Sequence, residues 1–189
     1  MKLSRYPLWP AYQAADPSLT DEGLRSRVIA AYGADAVQDD RELVQIVEFA
    51  ARLCDVPVAL ITLVEEHRQR FVARKGLAKE ETPRSTSLCS HAMAGQGPLV
   101  VPDASADERF AEMELVAGDN GIRFYAGHPL VSSEGVPLGA LCVIDREVRP
   151  EGLNALQREG LEVLSRAVMR RLTSERDAAY AESQIEVSE

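Results

Sequence analysis

Hydrophobic and polar positions follow two different rhythms along the chain. Across 39–54, apolar residues recur every three or four positions, which predicts an amphipathic helix. The same spacing predicts a long helix that begins after Gly152 and runs to at least residue 176. Shorter helices are predicted at about 20–32 and, with Ser87 as the capping residue, at 88–94.

Between these helices the pattern has period two or is apolar throughout, which predicts β-strands. Strands are expected at 58–64, 69–74, 99–101, 122–131 and 137–144. Polar turns join them as hairpins, and the charged segment 78–85 is predicted to be a loop. Since neighbouring strands joined by tight turns pair antiparallel, this order predicts an α+β fold with a central antiparallel sheet of five or six strands. Terminal helices would cover one face, and the short helix and loops would cover a pocket on the other.

The length allows one domain with a substantial core, since the chain has 189 residues, 46% of them hydrophobic. We divide it into an extended, proline-containing arm at 1–19, a single domain at 20–176, and an acidic tail or frayed helix end at 177–189. The chain is either a stand-alone protein or an excised fragment, and a start at Met1 with a dwindling, acidic end favours the first.

Charge and cysteine content restrict the class of protein. The net charge of −9 argues against nucleic acid as the main partner and against adhesion to an anionic membrane. The N-terminus lacks the long apolar core of a signal peptide, and no apolar run approaches the length of a membrane span. The three widely spaced cysteines suit a reducing compartment, so we expect a cytoplasmic protein.

Four phrases resemble the GAF domains of bacterial signalling proteins. They are PVALITLVEEHRQRFVARKGL (57–77), SLCSHAM (87–93), PLVVPDASADERFAE (98–112) and GIRFYAGHPLVSSEGVPLGALCVIDREVRP (121–150). The likeness covers about 20–172 and implies the GAF fold, with a ligand cavity on one side of the sheet. It also implies a noncatalytic sensory module that binds a small molecule or a partner. Such a module passes its state to an attached output domain through terminal helices, which often form a homodimer. For this chain we expect action as a homodimer or with a separate signalling output protein.

The resemblance leaves the ligand and any cofactor unassigned. Bilin-binding members attach the pigment to a cysteine that histidine often follows directly, whereas Ser90 here separates Cys89 from His91, so no covalent bilin is expected. Members that reduce methionine sulfoxide need a set of cysteines that this chain does not match. A small thiol enzyme and a ligand-free dimerisation module remain the alternatives. The thiol enzyme requires a cysteine that is paired with another or whose pKa is strongly perturbed. The dimerisation module requires a core that side chains fill, with no ligand cavity.

The strand at 122–131 supplies the main candidate ligand-binding residues. Its alternation places Arg123 and Tyr125 on one face and Ile122 and Phe124 on the other. If the helices cover the second face, the guanidinium and the phenol line the cavity, where they suit a carboxylate, a phosphate or a flat polar ligand. Alternatively, Arg123 pairs with an acid such as Asp103 or Asp107 and holds the loop closed.

Four further candidates complete the predicted ligand site: Cys89, Asp103, Arg109 and Phe110. Each also has a structural interpretation. The Asp103 side chain can accept backbone amides of its own loop, and Phe110 can anchor that loop in the core. Cys89 is expected to pack inward, with His91 near the helix surface, and Cys142 is expected to be a small core residue. No spacing specifies a metal site or a catalytic acid–base pair.

Overall fold

The computed structural model describes residues 22–95 and 97–186, with side chains described as far as Gln184. The predicted N-terminal arm at 1–19, the first two residues of the predicted helix at 20–32, and the last three residues of the chain lie outside the described residues. The helices are α1 (Glu22–Ala31), α2 (Arg41–Cys54), α3 (Leu88–Ala92) and α4 (Ala155–Glu186).

Local side-chain bonds fix where the helices begin and end. Asp40 caps α2, because its carboxylate accepts the amides of Glu42 at 3.0 Å and Leu43 at 3.1 Å. Asp55 ends that helix in the left-handed conformation, with φ of 52°. A capping box starts α4, where Asn154 and Gln157 each accept the other's backbone amide, at 2.9 and 3.0 Å.

Within the described residues, the sheet has six antiparallel strands: β1 (Val58–Val64), β2 (Arg68–Lys75), β3 (Glu81–Pro83), β4 (Leu99–Val101), β5 (Phe124–Val131) and β6 (Pro137–Asp145). Their spatial order is β3-β2-β1-β6-β5-β4. The centre is therefore the β1–β6 pair, in which Leu60 lies opposite Cys142. Because β1 and β6 come from hairpins far apart in the chain, this pair joins the two halves of the domain.

The sheet separates two hydrophobic clusters. On one face α2 and α4 bury side chains such as Leu43, Val47 and Leu161 against the sheet. On the other face α3 and the loop that follows β4 bury Phe110 and Met93, among others. This arrangement confirms the predicted α+β fold and the division of the sheet into a helix face and a loop face.

The main differences from the predicted element boundaries are at β3, β5 and α3; α3 was predicted at 88–94 and ends at Ala92. The segment 78–85, predicted as a loop, contains β3, an edge strand on which Pro83 is tolerated because no further strand needs its missing amide. The strand predicted from residue 122 begins at Phe124, since the Ile122 amide donates to the Leu115 carbonyl at 2.8 Å instead of to a strand. Helix α4 continues to Glu186, which agrees with the expectation that it runs to at least residue 176.

Candidate functional site

A cavity of about 480 Å³ lies between the loop face of the sheet and its cover. Strands β1, β2, β5 and β6 form one wall, and α3 with the loop that precedes β5 forms the opposite wall. Most of the lining is apolar: Pro57, Val58, Leu60, Phe71, Leu77, Leu88, Leu115, Ile122 and Ile144. Small-molecule binding sites are usually cavities with mostly apolar walls and a few polar groups.

Buried polar side chains fix one side of this cavity. The Gln69 amide donates to the Thr82 hydroxyl at 3.4 Å, and the Ser87 hydroxyl donates to the Gln69 carbonyl oxygen. Ser87 in turn accepts the Ser90 amide at 3.0 Å and so caps α3, as predicted. These bonds connect β3, β2 and α3, so they hold the short helix at a fixed height over the sheet.

A phenol and two thiols meet at the inner end of the cavity. The Tyr125 hydroxyl donates to Cys89 Sγ at 3.3 Å, and Cys89 Sγ lies 3.5 Å from Cys142 Sγ. Gly127 makes room for the phenol, because a Cβ at that position would lie 2.2 Å from the Tyr125 hydroxyl oxygen. Burial and the two neighbouring thiols raise the pKa of Tyr125 well above its ordinary value, so the phenol stays a neutral donor.

Charged residues line the other end of the cavity. Lys79, Arg146 and Glu147 are exposed there, next to the buried carboxylate of Asp145. Asp145 is held in place by Arg149, whose Nη2 donates to Oδ2 at 2.8 Å. Since exposed side chains and the buried Cys89 line the same cavity, the cavity connects the protein surface to the thiol pair.

The structure brings only two of the six predicted ligand-site residues to the cavity. Tyr125 and Cys89 line it, as their predicted orientation requires. Arg123 does not, because its guanidinium donates to the carbonyl oxygens of Val116 at 2.8 Å and Gly118 at 2.6 Å. It thus holds the loop closed, through backbone carbonyls and not through the predicted aspartate. Ile122 lines the cavity although it was assigned to the helix face, because the alternation of β5 does not extend to it.

The other three candidates belong to the covering loop. Asp103 Oδ1 accepts the amide of Ser105 at 3.0 Å and its hydroxyl at 2.6 Å, which is the predicted local turn. Arg109 pairs with Asp107 at 2.7 Å and lies over the Phe110 ring. Phe110 is fully buried beneath the loop. All three stabilise the cover, and none of them lines the cavity.

The buried polar residues of the site were not predicted from the sequence. Gln69 shares a face of β2 with Phe71, so period-two alternation could have placed its side chain towards the cavity. Leu115 and Asn120 lie in irregular loop, where no periodic pattern indicates the direction of a side chain. The thiol pair could not be inferred either, since 53 positions separate Cys89 from Cys142.

Two half-buried histidines flank the sheet on its two faces. His91 on α3 packs edge-on against Phe110, with Arg109 and Asp107 nearby, and burial and the Arg109 charge lower its pKa. His128 on β5 lies 2.9 Å from the Ser165 hydroxyl of α4, and burial lowers its pKa as well. Glu162 and Arg166 of α4 are the charged groups that face His128.

These lowered pKa values predict that acidification destabilises the fold. Below about pH 6.5 the unfolded chain binds protons at both histidines more readily than the folded chain does. The free energy of unfolding therefore decreases as the pH is lowered. Urea titrations between about pH 7.5 and pH 5.5 should show this decrease, and His128→Asn should make it shallower. His67→Gln, at an exposed turn, is the matched control and should leave the slope unchanged. A slope that is equally steep without His128 would contradict this prediction.

Comparison with known proteins agrees with this architecture. The family model for the GAF domain matches residues 40–172. The chain belongs to the GAF domain family. That family assignment confirms the resemblance found in the sequence, and it makes the cavity between α3 and the sheet the candidate ligand site of this GAF domain.

One curated relative shares much of the chain. The cyclic di-GMP phosphodiesterase PA2567 of Pseudomonas aeruginosa is 39% identical over 168 residues, which are 88% of this chain and 28% of that protein. The chain therefore spans little more than a quarter of the relative. The match supports a place for this GAF domain in bacterial signal transduction.

Solved structures with low sequence identity share the fold. The GAF domain of an Acinetobacter phosphoenolpyruvate-protein phosphotransferase is 20% identical and superimposes with a TM-score of 0.56, over 87% of this chain and 98% of that one. The free methionine-R-sulfoxide reductase of Neisseria meningitidis is 18% identical, with a TM-score of 0.58 over 90% of this chain and 99% of that one. In the described part of this GAF domain, no helix is long and apolar enough to cross a membrane.

Proposed function

We propose that this GAF domain is a noncatalytic sensory or regulatory module whose cavity binds a small, largely apolar ligand. The observation that carries the proposal is the cavity of about 480 Å³ between α3 and the sheet. Its size falls in the range of small-molecule sites, and apolar side chains supply most of its wall. A hydrophobic ligand would gain free energy from burial there without leaving many polar groups unpaired.

The polar groups of the cavity restrict the ligand further. Along one wall, Gln69 and Thr82 already bond to each other, and the Tyr125 hydroxyl already donates to a thiol. At the surface end, Lys79 and Arg146 can pair with an anionic group. A ligand with an apolar body and one polar or anionic end pointing outward fits this distribution of groups.

Strand β5 offers a physical connection from the cavity to the terminal helix. Tyr125 faces the cavity, and three residues further along the strand His128 bonds to Ser165 of α4. A ligand that shifts Tyr125 would therefore displace a strand that contacts α4 directly. We infer that α4, which continues well past the domain core, passes the ligand state to an output partner.

The same helix layer supports a homodimer of this GAF domain. Phe49 of α2 and Leu156 and Val163 of α4 are exposed, at 48%, 67% and 47%. Leu53 packs on Gly160 where α2 and α4 meet, and the three exposed residues lie within about one helical turn of that contact along their own helices. A second copy would bury these apolar side chains. With the 39% identity to a cyclic di-GMP phosphodiesterase, this arrangement favours a regulatory role for the domain in cyclic di-GMP signalling.

Closing the cavity tests the proposed ligand site. Ile144→Trp places a larger side chain in the cavity from a half-buried position on its wall. Anilinonaphthalene sulfonate, which has an apolar aromatic body and one anionic group, is expected to bind the unmodified protein with enhanced fluorescence. The variant should bind the probe at least about tenfold more weakly, a loss of about 1.4 kcal/mol of binding free energy.

Val148→Trp is the matched control for this experiment. Val148 follows β6, is 45% exposed and is not part of the cavity lining, so the same substitution there should leave probe binding unchanged. Equal binding by Ile144→Trp and the unmodified protein would show that the probe does not occupy this cavity. Circular dichroism spectra that match among the three proteins would exclude unfolding as the cause of a loss.

A further inference from the structure

The thiol pair at the inner end of the cavity has a geometry that the sensory role does not require. Cys89 lies on α3 and Cys142 lies at the centre of β6, and both are buried. Their sulfur atoms are 3.5 Å apart. The third cysteine, Cys54, ends α2 in the cluster on the opposite face of the sheet. The pair is therefore isolated from other thiols.

We propose that Cys89 and Cys142 are a redox modification site, at which a small hydroperoxide converts the two thiols into a reversible disulfide. A disulfide requires its sulfur atoms about 2.05 Å apart, so the atoms must approach by about 1.5 Å from their present 3.5 Å. Cys89 belongs to a five-residue helix, which can move towards the sheet more easily than the central strand can move out of it. The approach therefore draws α3 onto β6.

An oxidant can reach one of the two sulfur atoms. Cys89 lines the cavity, and the same cavity is lined at its other end by the exposed Lys79 and Arg146. A hydroperoxide is small and uncharged, so it can cross an apolar cavity that excludes larger oxidants. Cys142 is fully buried behind Cys89, which makes it the resolving thiol and Cys89 the thiol that reacts first.

Hydrogen bonding assigns the same roles to the two thiols. Burial opposes ionisation of Cys89, but hydrogen bonding with Cys142, Tyr125 and Thr62 lowers its pKa below the ordinary value. The bond to Cys89, together with burial, raises the pKa of Cys142 well above the ordinary value. A thiolate is the reactive form of cysteine, so Cys89 is the nucleophile of the pair.

The reaction balances with one hydroperoxide per pair. The Cys89 thiolate attacks the peroxide oxygen, the O–O bond breaks, and the thiol proton leaves with the departing oxygen as water or an alcohol. Cys89 is then a sulfenic acid. Cys142 attacks its sulfur, the S–O bond breaks, and the hydroxide takes the Cys142 proton to leave as water. Two thiols are oxidised by two electrons, and the peroxide is reduced by two.

The Cys89–Cys142 disulfide would change the shape of the proposed ligand cavity. Helix α3 covers the cavity, and its position over the sheet is set by the Ser87–Gln69 hydrogen bond and by packing of Leu88 and Ala92. A disulfide from Cys89 to Cys142 of the central strand fixes the distance between α3 and the sheet, and it makes the inner end of the cavity smaller. Oxidation would thereby alter ligand binding without any residue at the surface end changing.

Peptide mapping of the full chain tests the proposal. Trypsin places the three cysteines on separate peptides: 53–68 with Cys54, 85–109 with Cys89, and 124–146 with Cys142. The reduced protein is treated with hydrogen peroxide, its free thiols are blocked with N-ethylmaleimide, and the digest is analysed by mass spectrometry without reduction. The expected product is peptide 85–109 linked to 124–146, with peptide 53–68 blocked. Dithiothreitol should restore both thiols.

Two variants sharpen the result. Cys54→Ala should give the linked peptide in the same yield, since Cys54 lies across the sheet from the pair. Cys142→Ala should give none and leave Cys89 to oxidise further, to the sulfinic acid. The proposal is overturned if peroxide leaves all three thiols free, if Cys89 becomes a sulfinic acid while Cys142 stays free in the unmodified protein, or if the link joins two chains. The unmodified protein alone decides among these outcomes, so folding of a variant does not limit the test.

Discussion

Replacing Gly139 with alanine is expected to lower the free energy of unfolding by about 3 kcal/mol or more, the largest effect of any substitution considered for this domain. Gly139 lies in β6, where it pairs with Leu63 of β1 and with Leu130 of β5. A Cβ at this position would lie 1.9 Å from the Thr62 carbonyl oxygen and 2.8 Å from the carbonyl carbon of the same residue. Both atoms are backbone, so no side-chain rotation can relieve the overlap.

The cost follows from the place of this contact in the sheet. The β1–β6 pair joins the two halves of the domain, and next to Gly139 the Thr62 hydroxyl donates to the Ala140 carbonyl at 3.2 Å. To admit the methyl group, β1 must move away from β6, which breaks these bonds and opens the core on both faces. Since a domain of this size is stabilised by only about 5–15 kcal/mol, the variant should unfold at much lower urea or fail to accumulate in soluble form.

Gly97→Ala is the control for this substitution. Gly97 lies before β4, and a Cβ there would meet nothing within 4 Å. Its effect on the urea midpoint should stay within about 0.5 kcal/mol of unfolding free energy. A Gly139→Ala protein as stable as the Gly97→Ala protein would mean that β1 and β6 do not pair in the register described.

The sequence predicts the sheet better than it predicts the site, and particular residues show why. Apolar alternation and the two hairpin turns determine β1, β2, β5 and β6, because strand burial depends on short-range pattern. The same alternation placed Tyr125 at the cavity, and Cys89 was expected to pack inward from its short helix. Arg123 was misplaced because it lies one residue before β5, where loop carbonyls and not the pleat of the strand set its direction.

Long-range contacts account for the rest of the difference. The adjacency of Cys89 and Cys142 depends on how α3 lies over β6, and no local pattern encodes it. The same holds for Gln69, whose partners Thr82 and Ser87 belong to other elements. Such sites become visible only once the sheet order is known.

Arg149→Ala is expected to lower the free energy of unfolding by about 2–4 kcal/mol, although Arg149 lies outside every helix and strand. Its guanidinium joins two distant parts of the chain. It donates to the Asp145 carboxylate at 2.8 and 3.2 Å, to the Cys54 carbonyl at 2.9 Å, and to the Asp55 carbonyl. It also lies 5.3 Å from the centre of the Phe124 ring.

Loss of the guanidinium removes the hydrogen-bond partner of several carbonyl and carboxylate oxygens at the same time. The carbonyl oxygens at the C-terminal end of α2 lose the donors that Arg149 provides, and the carboxylate of Asp145, a residue that is 9% exposed, loses its counter-charge. Urea unfolding followed by circular dichroism measures the change. Arg149→Lys should recover less than half of it, because an ammonium group keeps the charge but cannot bond to all three partners in the plane of a guanidinium.

Arg146→Ala tests whether stability depends on the position of Arg149 or only on its positive charge. Arg146 is an exposed arginine three residues before Arg149. Its replacement should change stability by no more than about 0.5 kcal/mol. If both alanine variants were equally mild, Arg149 would be a surface charge and not the connection between α2 and β6. If Arg149→Ala alone is severe, the end of β6 that borders the cavity is held by the C-terminal end of α2. Any ligand that moves Asp145 would then also move the helix layer on the opposite face of the sheet.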